Sequence, residues 1–228
     1  MYASTTEGIK RAMPIVLGYV PVGFAYGVLA VKTGIPPLYA ALLSVVLYAG
    51  SGQFVLVNLW GMGAGALSII LTVFVINLRH LLMAAALAPH LEPLSRLQKA
   101  LFAHELTDET FAVHISAFGR GRPADAVTLF SCNLTAHSSW VLGSVLGVGF
   151  GSLLSDVRPY GLDYALIAMF LALLVPMCVR RIHVILALVA VLLSVSLKLL
   201  GLGQWNVIAA AMIAATLGVF LDKPEKRA

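Results

Sequence analysis

Arg79 stands in the tetrad Asn77-Leu78-Arg79-His80, inside an apolar stretch with about nine apolar or small residues still to run before Pro89. A guanidinium at the centre of a bilayer costs roughly 2.5 kcal/mol or more, so this one must face protein or water and hold a counter-charge. The nearest candidate is the run Leu106-Thr107-Asp108-Glu109-Thr110-Phe111, the only carboxylate pair flanked on both sides by mainly apolar sequence. Arg79, His80, Asp108 and Glu109 therefore form a candidate charge relay. A buried acid has two uses in a solute carrier: it pairs with an ammonium group, or it binds and releases a proton.

A second polar group interrupts the stretch before. In Tyr48-Ala49-Gly50-Ser51-Gly52-Gln53-Phe54, small residues, a hydroxyl and an amide sit between aromatics. Carriers use such breaks to aim half-helix ends at a solute near mid-membrane. His80, His104, His114, His137 and His183 show no spacing that would hold a metal, so no metal or cofactor is expected. His80 and His137 suit polar contacts between helices or a proton relay, against the commoner role of satisfied structural histidine. No phosphate-binding loop, nucleophile elbow or zinc-protease motif is present, so no catalytic residue is assigned and an enzyme is not expected. No soluble domain is large enough for an ATPase, which leaves gradient-driven transport by elimination.

These side chains must be positioned by an all-α polytopic membrane protein. Of 228 residues 60% are hydrophobic and 11% charged, against about 25% charged in soluble domains, and the mean hydropathy is +0.95. The net charge of +5 would suggest nucleic acid in a soluble protein; here it lies largely at segment ends and reads as orientation in a lipid bilayer. Cys132 and Cys178 both lie in apolar stretches and read as packing residues. The first stretch continues without a cleavage site and is expected to be retained.

Candidate membrane segments, several of them broken or re-entrant, run over about 12–31, 38–59, 64–88, 101–118, 126–150, 162–179, 182–200 and 205–221, forming one transporter domain over 1–228. Seven are uninterrupted in hydropathy, and 101–118 carries His104, Glu105, Asp108, Glu109 and His114. If that eighth segment crosses and the N-terminus is cytoplasmic, nine basic residues fall inside and five outside, which favours crossing and places both termini in the cytoplasm. A re-entrant pair is the alternative. Around Thr107 a continuous helix would gather His104, Glu105, Asp108 and Glu109 in one arc of about 140° at 100° per residue. Alternatively Thr107 caps a new helix and Asp108 and Glu109 occupy its first turn. Gly23 with Gly27, and Gly143 with Gly147, have the spacing of close helix packing.

The chain resembles the AzlC family of branched-chain amino acid permeases, the large subunit of a two-component exporter. The resemblance rests on Pro14 to Gly27 (PIVLGYVPVGFAYG), Tyr48 to Phe54 (YAGSGQF), Asn77 to His80 (NLRH), Leu87-Ala88-Pro89-His90 and Leu106 to Ala112 (LTDETFA), in the family's order over roughly the first half. Glu105, just before the acidic run, adds a charge beyond that pattern. The resemblance implies efflux of leucine, isoleucine and valine, often methionine, across the cytoplasmic (inner) membrane, with a small AzlD-type membrane subunit as partner; a higher oligomer is left open.

A zwitterion with an apolar side chain needs donors for its carboxylate, an acceptor for its ammonium and an apolar pocket. The backbone N–H groups of the second segment with Ser51, Gly52 and Gln53 are expected to supply the first. Asp108 or Glu109 supplies the second, with Asn77 beside them and Phe24, Tyr48, Phe54, Phe111 and Trp140 as walls. Proton coupling through the acids is the expected drive. The rival readings are another small neutral or organic-acid solute, and a non-transporting subunit whose partner forms the pathway.

Overall fold

The computed structural model describes residues 4–151, 180–201 and 205–221, with scattered positions between 153 and 178. Within the span expected to be one domain, two compact units divide the chain, Met1–Met169 and Phe170–Ala228. The expected segment 162–179 lies largely outside the described residues. Every described element is helical, the nearest to an exception being one short 3-10 turn.

The first unit is built on α1 (Thr5–Lys32) and α7 (Ala126–Gly151). Ser4 caps α1 by accepting from the Glu7 N–H, and the Asp125 carboxylate accepts from the Thr128 N–H at the start of α7. The residues that meet advance together along both helices: Gly8 with Thr128 and Cys132, Gly23 with Trp140 and Ser144, Gly27 with Gly147 and Val148, Gly151 with Val28 and Val31. The two helices are therefore parallel. Their glycines are what allows the contact, since a Cβ on Gly23 would stand 2.8 Å from the Trp140 carbonyl and one on Gly147 would run into the Phe24 carbonyl. Backbone cannot move aside as a flexible side chain can, so the small-residue spacing of both helices is a packing seam.

Between these helices the chain makes two excursions. α2 (Pro37–Val46) begins on Pro36-Pro37, and α3 (Gly50–Gly61) follows after a break at 47–49. A 10-residue and a 12-residue helix rise roughly 15 and 18 Å, each about half of a hydrocarbon core of roughly 30 Å. α3 returns to the end at which α2 began: a Cβ on Gly61 would lie 3.1 Å from Thr33 Cγ2 at the end of α1, and Ile35, Pro36 and Tyr39 share one cavity with Trp60, Ala66 and Ile69. The pair is a re-entrant hairpin with Tyr48 at its tip. Tyr48 has φ of 40°, a left-handed conformation that costs a non-glycine residue about 1–3 kcal/mol and marks the reversal.

α4 (Ala66–Leu87) then runs the full thickness, continued by a 3-10 turn at Ala88–Leu91 where Pro89 cannot extend the helix. From that far end α5 (Arg96–His104) enters under a Ser95/Gln98 capping box, and α6 (Asp108–Gly119) leaves from a Thr107/Thr110 capping box. These also fold back. The rings of Phe102 and His114 lie 5.2 Å apart and His90 stacks on Phe118 at 4.8 Å. Leu87, Leu91, Leu94, Phe118 and Leu129 close one apolar cluster at that end.

The segment expected at 101–118 folds as two helices, α5 and α6, that form a second hairpin starting from the opposite end of α1. Thr107 caps a new helix, so the single arc through His104 does not form and His104 is exposed. The segment 38–59 is likewise a hairpin. The nine-to-five distribution of basic residues was drawn on crossings at both, and it changes with them. Lys10, Arg11, Arg96, Lys99, Arg120 and Arg122 now gather at the N-terminal end of α1, where Arg122 meets Glu7 at 3.3 Å. At the opposite end of the described part of this unit stands Lys32.

The second unit, described by itself, contains α8 (Arg181–Leu199) and α9 (Trp205–Leu221). They are antiparallel: Asn206 Nδ2 donates to the Ser194 carbonyl and hydroxyl, both at 3.0 Å, and Gly218 faces Leu186. α1, α4 with its 3-10 turn, and α8 are each long and apolar enough to cross a membrane, and α4 and α8 expose Leu71, Phe74, Leu81, Leu188 and Leu192, as lipid-facing helices do.

Candidate functional site

The two hairpin tips meet between α1, α4 and α7, and each tip brings a helix N-terminus to the same depth. No side chain caps α3 at Ala49, so the first N–H groups of that helix, at the positive end of its dipole, point into the site without the usual acceptor. Arg79 bridges the tips. Its Nη2 donates to Ser51 Oγ on α3, and its Nη1 holds Asp108 Oδ2 of α6 at 2.6 Å. The pairing expected from sequence is present, with both side chains between a quarter and a third exposed.

Asn77 stands two residues before Arg79 on α4 and lies against the first turn of α3. A Cβ on Gly52 would stand 3.1 Å from Asn77 Nδ2, so any larger residue there would press on the Asn77 amide. Three buried polar atoms here have no hydrogen-bond partner: Tyr48 OH, Asn77 Oδ1 and Arg79 Nε. His80 Nε2 beside Arg79 has none either. Buried polar groups are normally paired, so this cluster reads as a polar surface prepared for something else.

The second acid is held differently. Tyr19 OH of α1 lies 2.6 Å from Glu109 Oε2 and 2.7 Å from Thr107 Oγ1. With a single proton, the phenol gives its hydrogen to one neighbour and accepts from the other. The two acids of the run thus face different partners, Asp108 a guanidinium and Glu109 a phenol.

Behind the tips a closed chain of side chains fixes their position. Trp140 Nε1 donates to Gln53 Oε1 at 2.9 Å, Gln53 Nε2 to Ser44 Oγ at 3.0 Å, Ser44 Oγ to Ser144 Oγ at 2.8 Å, and Ser144 Oγ to the Trp140 carbonyl at 2.8 Å. Each such bond within a membrane protein is worth about 0.6 kcal/mol on average, and together they lock α2 and α3 to α7. Tyr19 packs edge-on against Trp140 and Tyr48, while Tyr26 stacks on Trp140 and meets Phe54 edge-on.

The structure therefore brings together Tyr48, Ser51, Gly52, Asn77, Arg79, Asp108, Glu109 and Trp140. Gln53 is among them but both ends of its amide are engaged within the chain, which makes it a strut. Two expected walls lie elsewhere: Phe24 faces Phe150 with ring centres 6.3 Å apart in the seam with α7, and Phe111 joins the cluster of Leu87 and Phe118. Sequence reasoning missed Tyr19, Ser44 and Ser144. Their signal was a lone polar residue at a helix-facing position in an apolar run, which has no meaning until the partner helix is known.

Among the described residues no group of His, Cys, Asp and Glu could hold a metal ion. Cys132 and Cys178 are both free, Cys132 fully buried.

A family model described as AzlC protein matches residues 14–154, which span both hairpins and α7. The chain is 35% identical over 204 residues to the inner membrane protein YgaZ of Escherichia coli, covering 86% of this chain and 82% of that one. It is 35% identical over 217 residues to an uncharacterized membrane protein of Archaeoglobus fulgidus, covering 92% of each. It is also 26% identical over 229 residues to the branched-chain amino acid transport protein AzlC of Bacillus subtilis, covering 100% of this chain and 89% of that one. No solved structure matches the chain.

Proposed function

The chain belongs to the AzlC family and is a membrane transport protein; on that premise we propose that it exports leucine, isoleucine and valine, and methionine with them, across the cytoplasmic membrane in exchange for protons. The observation that carries this reading is the uncapped N-terminus of α3 in contact with Arg79 and Asn77, whose Nε and Oδ1 have no partner, with Glu109 held nearby by Tyr19. The α3 N–H groups and the free Nε of Arg79 suit the carboxylate of an amino acid. Glu109, released from Tyr19, is an acceptor for its ammonium. Trp140, Tyr19 and Tyr48 supply the apolar wall that a branched side chain requires.

Among the described residues of the first unit, six basic residues at one end against Lys32 at the other favour a cytoplasmic N-terminus for α1 under the positive-inside rule. The hairpin of α2 and α3 then enters from outside and that of α5 and α6 from the cytoplasm, so each tip closes one access route. Movement of one hairpin at a time would give alternating access around a fixed site. A small membrane subunit of the AzlD type is the partner this reading includes, by family resemblance.

The test is export from cells that lack the protein and are loaded with labelled leucine. Restoring the chain with its small subunit lowers the retained label, and unlabelled isoleucine and valine compete. Retention unchanged by the chain would remove the reading. The pairing of Arg79 with a helix N-terminus recognises a carboxylate whatever is attached to it, so a small organic acid is the second reading, and competition by such acids without competition by valine would select it.

A further inference from the structure

One cluster at the tips adjoins the site described above through Tyr48 and Ser44 but has a charged pair of its own. At the C-terminal end of α5, Glu105 turns its carboxylate onto His137 of α7, with Oε2 2.9 Å and Oε1 3.1 Å from Nδ1. On the other side of the ring, Nε2 lies 3.1 Å from the Ser44 carbonyl of α2. Both nitrogens of one imidazole thus face acceptors, and only the doubly protonated ring has a hydrogen for each. The ring also stacks on Tyr48 with centres 3.8 Å apart and planes 18° from parallel. Tyr48 is the residue whose φ of 40° makes the turn of the outer hairpin.

We propose that Glu105 and His137 form the proton-binding site of this transporter, a latch that holds both hairpin tips against α7 when one proton is bound and releases one tip when it leaves. The inference deepens the proton-coupled export proposed above and rests on it. With the proton bound, His137 donates to Glu105 of the inner hairpin and to the Ser44 carbonyl of the outer hairpin at once. Without it the ring keeps one N–H and one lone pair, and the lone pair must face an acceptor, so one of the two contacts is lost. The proton comes from and returns to water, with no other bond made or broken.

The groups around the latch are consistent with this role. From α1 and the outer hairpin come Tyr19 and Tyr48, neither of them charged near neutral pH. From α6 comes Glu109, two phenols away through Tyr19 and Tyr48, and from α7 the buried Cys132. Arg79 is engaged by Asp108 at the other side of the tips. Among the described residues Glu105 is the acid that contacts the ring, and no Lys or Arg is paired with it. Two grooves, of about 350 and 450 Å³, reach the pair from either side of Leu134, one lined by Glu105 and Ser131 and the other by His137 and Ser138.

The experiment uses the complete transporter in liposomes and two readouts, exchange of labelled leucine for unlabelled leucine at equal pH, and accumulation driven by an imposed pH gradient. Wild type shows both. Glu105→Gln and His137→Gln each keep exchange and lose gradient-driven accumulation, and the rate of exchange stops varying with pH. If wild-type accumulation ignores the pH gradient, the proton-coupled reading falls and this inference falls with it. If wild type responds and both variants respond equally, the latch alone is overturned. Loss of exchange in both variants also overturns it, since the pair would then handle substrate.

Discussion

The guanidinium of Arg79 touches both hairpins, and its two contacts differ in kind: a hydroxyl on α3 and a carboxylate on α6. The pair is a quarter to a third exposed, so removing one partner costs about 1 kcal/mol rather than the full penalty of a buried charge. Asp108→Asn should therefore lower the thermal stability of the purified protein by that order, and Arg79→Gln together with Asp108→Asn should recover most of it while transport stays absent. A double variant no more stable than either single one would show that the pair is not the contact that matters. The sequence made Arg79 and Asp108 legible because a charge inside an apolar run demands a counter-charge. It did not make Glu105 with His137 legible as a pair: they come from different helices, 32 positions apart, and no local pattern joins them. The Ser44 to Ser144 contact spans 100 positions and was invisible for the same reason.

Among the elements, the seam of α1 with α7 is the frame on which both tips hang. Gly23 and Gly27 meet the backbone of α7, and Gly143 and Gly147 that of α1. Overfilling a packed interface costs about 1–3 kcal/mol where neighbours can shift, and more where they are backbone. Gly147→Val should reduce the folded yield and melting temperature sharply, whereas Gly18→Ala, with open space around it, should change neither. Equal behaviour of the two variants would contradict the parallel seam. The spacing of these glycines was readable in advance as close packing, and the helix that fills it was not. Which of the broken segments reverse was not legible for a physical reason: hydropathy measures how apolar a segment is and is blind to a reversal within it. At 38–59 the reversal takes three residues around Tyr48. At 101–118 the capping chemistry of Thr107, legible as one of two options, was the correct signal that a new helix starts there.

At the scale of the molecule, the two hairpins start from opposite ends of α1 and place Lys99 and Arg122 at one end and Gly63 at the other. On a cysteine-free background, Gly63→Cys should react with an impermeant thiol reagent added to intact cells, and Lys99→Cys and Arg122→Cys only after the cells are opened. Labelling of Lys99→Cys from outside would restore the crossing at 101–118 and undo the hairpin.

The central claim is that solute is held where the tips meet, at the start of α3. Ser51 is 1% exposed, beside the free N–H groups of that helix and bonded to Arg79, so Ser51→Val removes an acceptor and fills the space at once. Retention of labelled leucine in loaded cells, at matched amounts of transporter in the membrane, tests it most directly. The tips predict that Ser51→Val retains leucine as cells without the transporter do; export at the wild-type rate would contradict them.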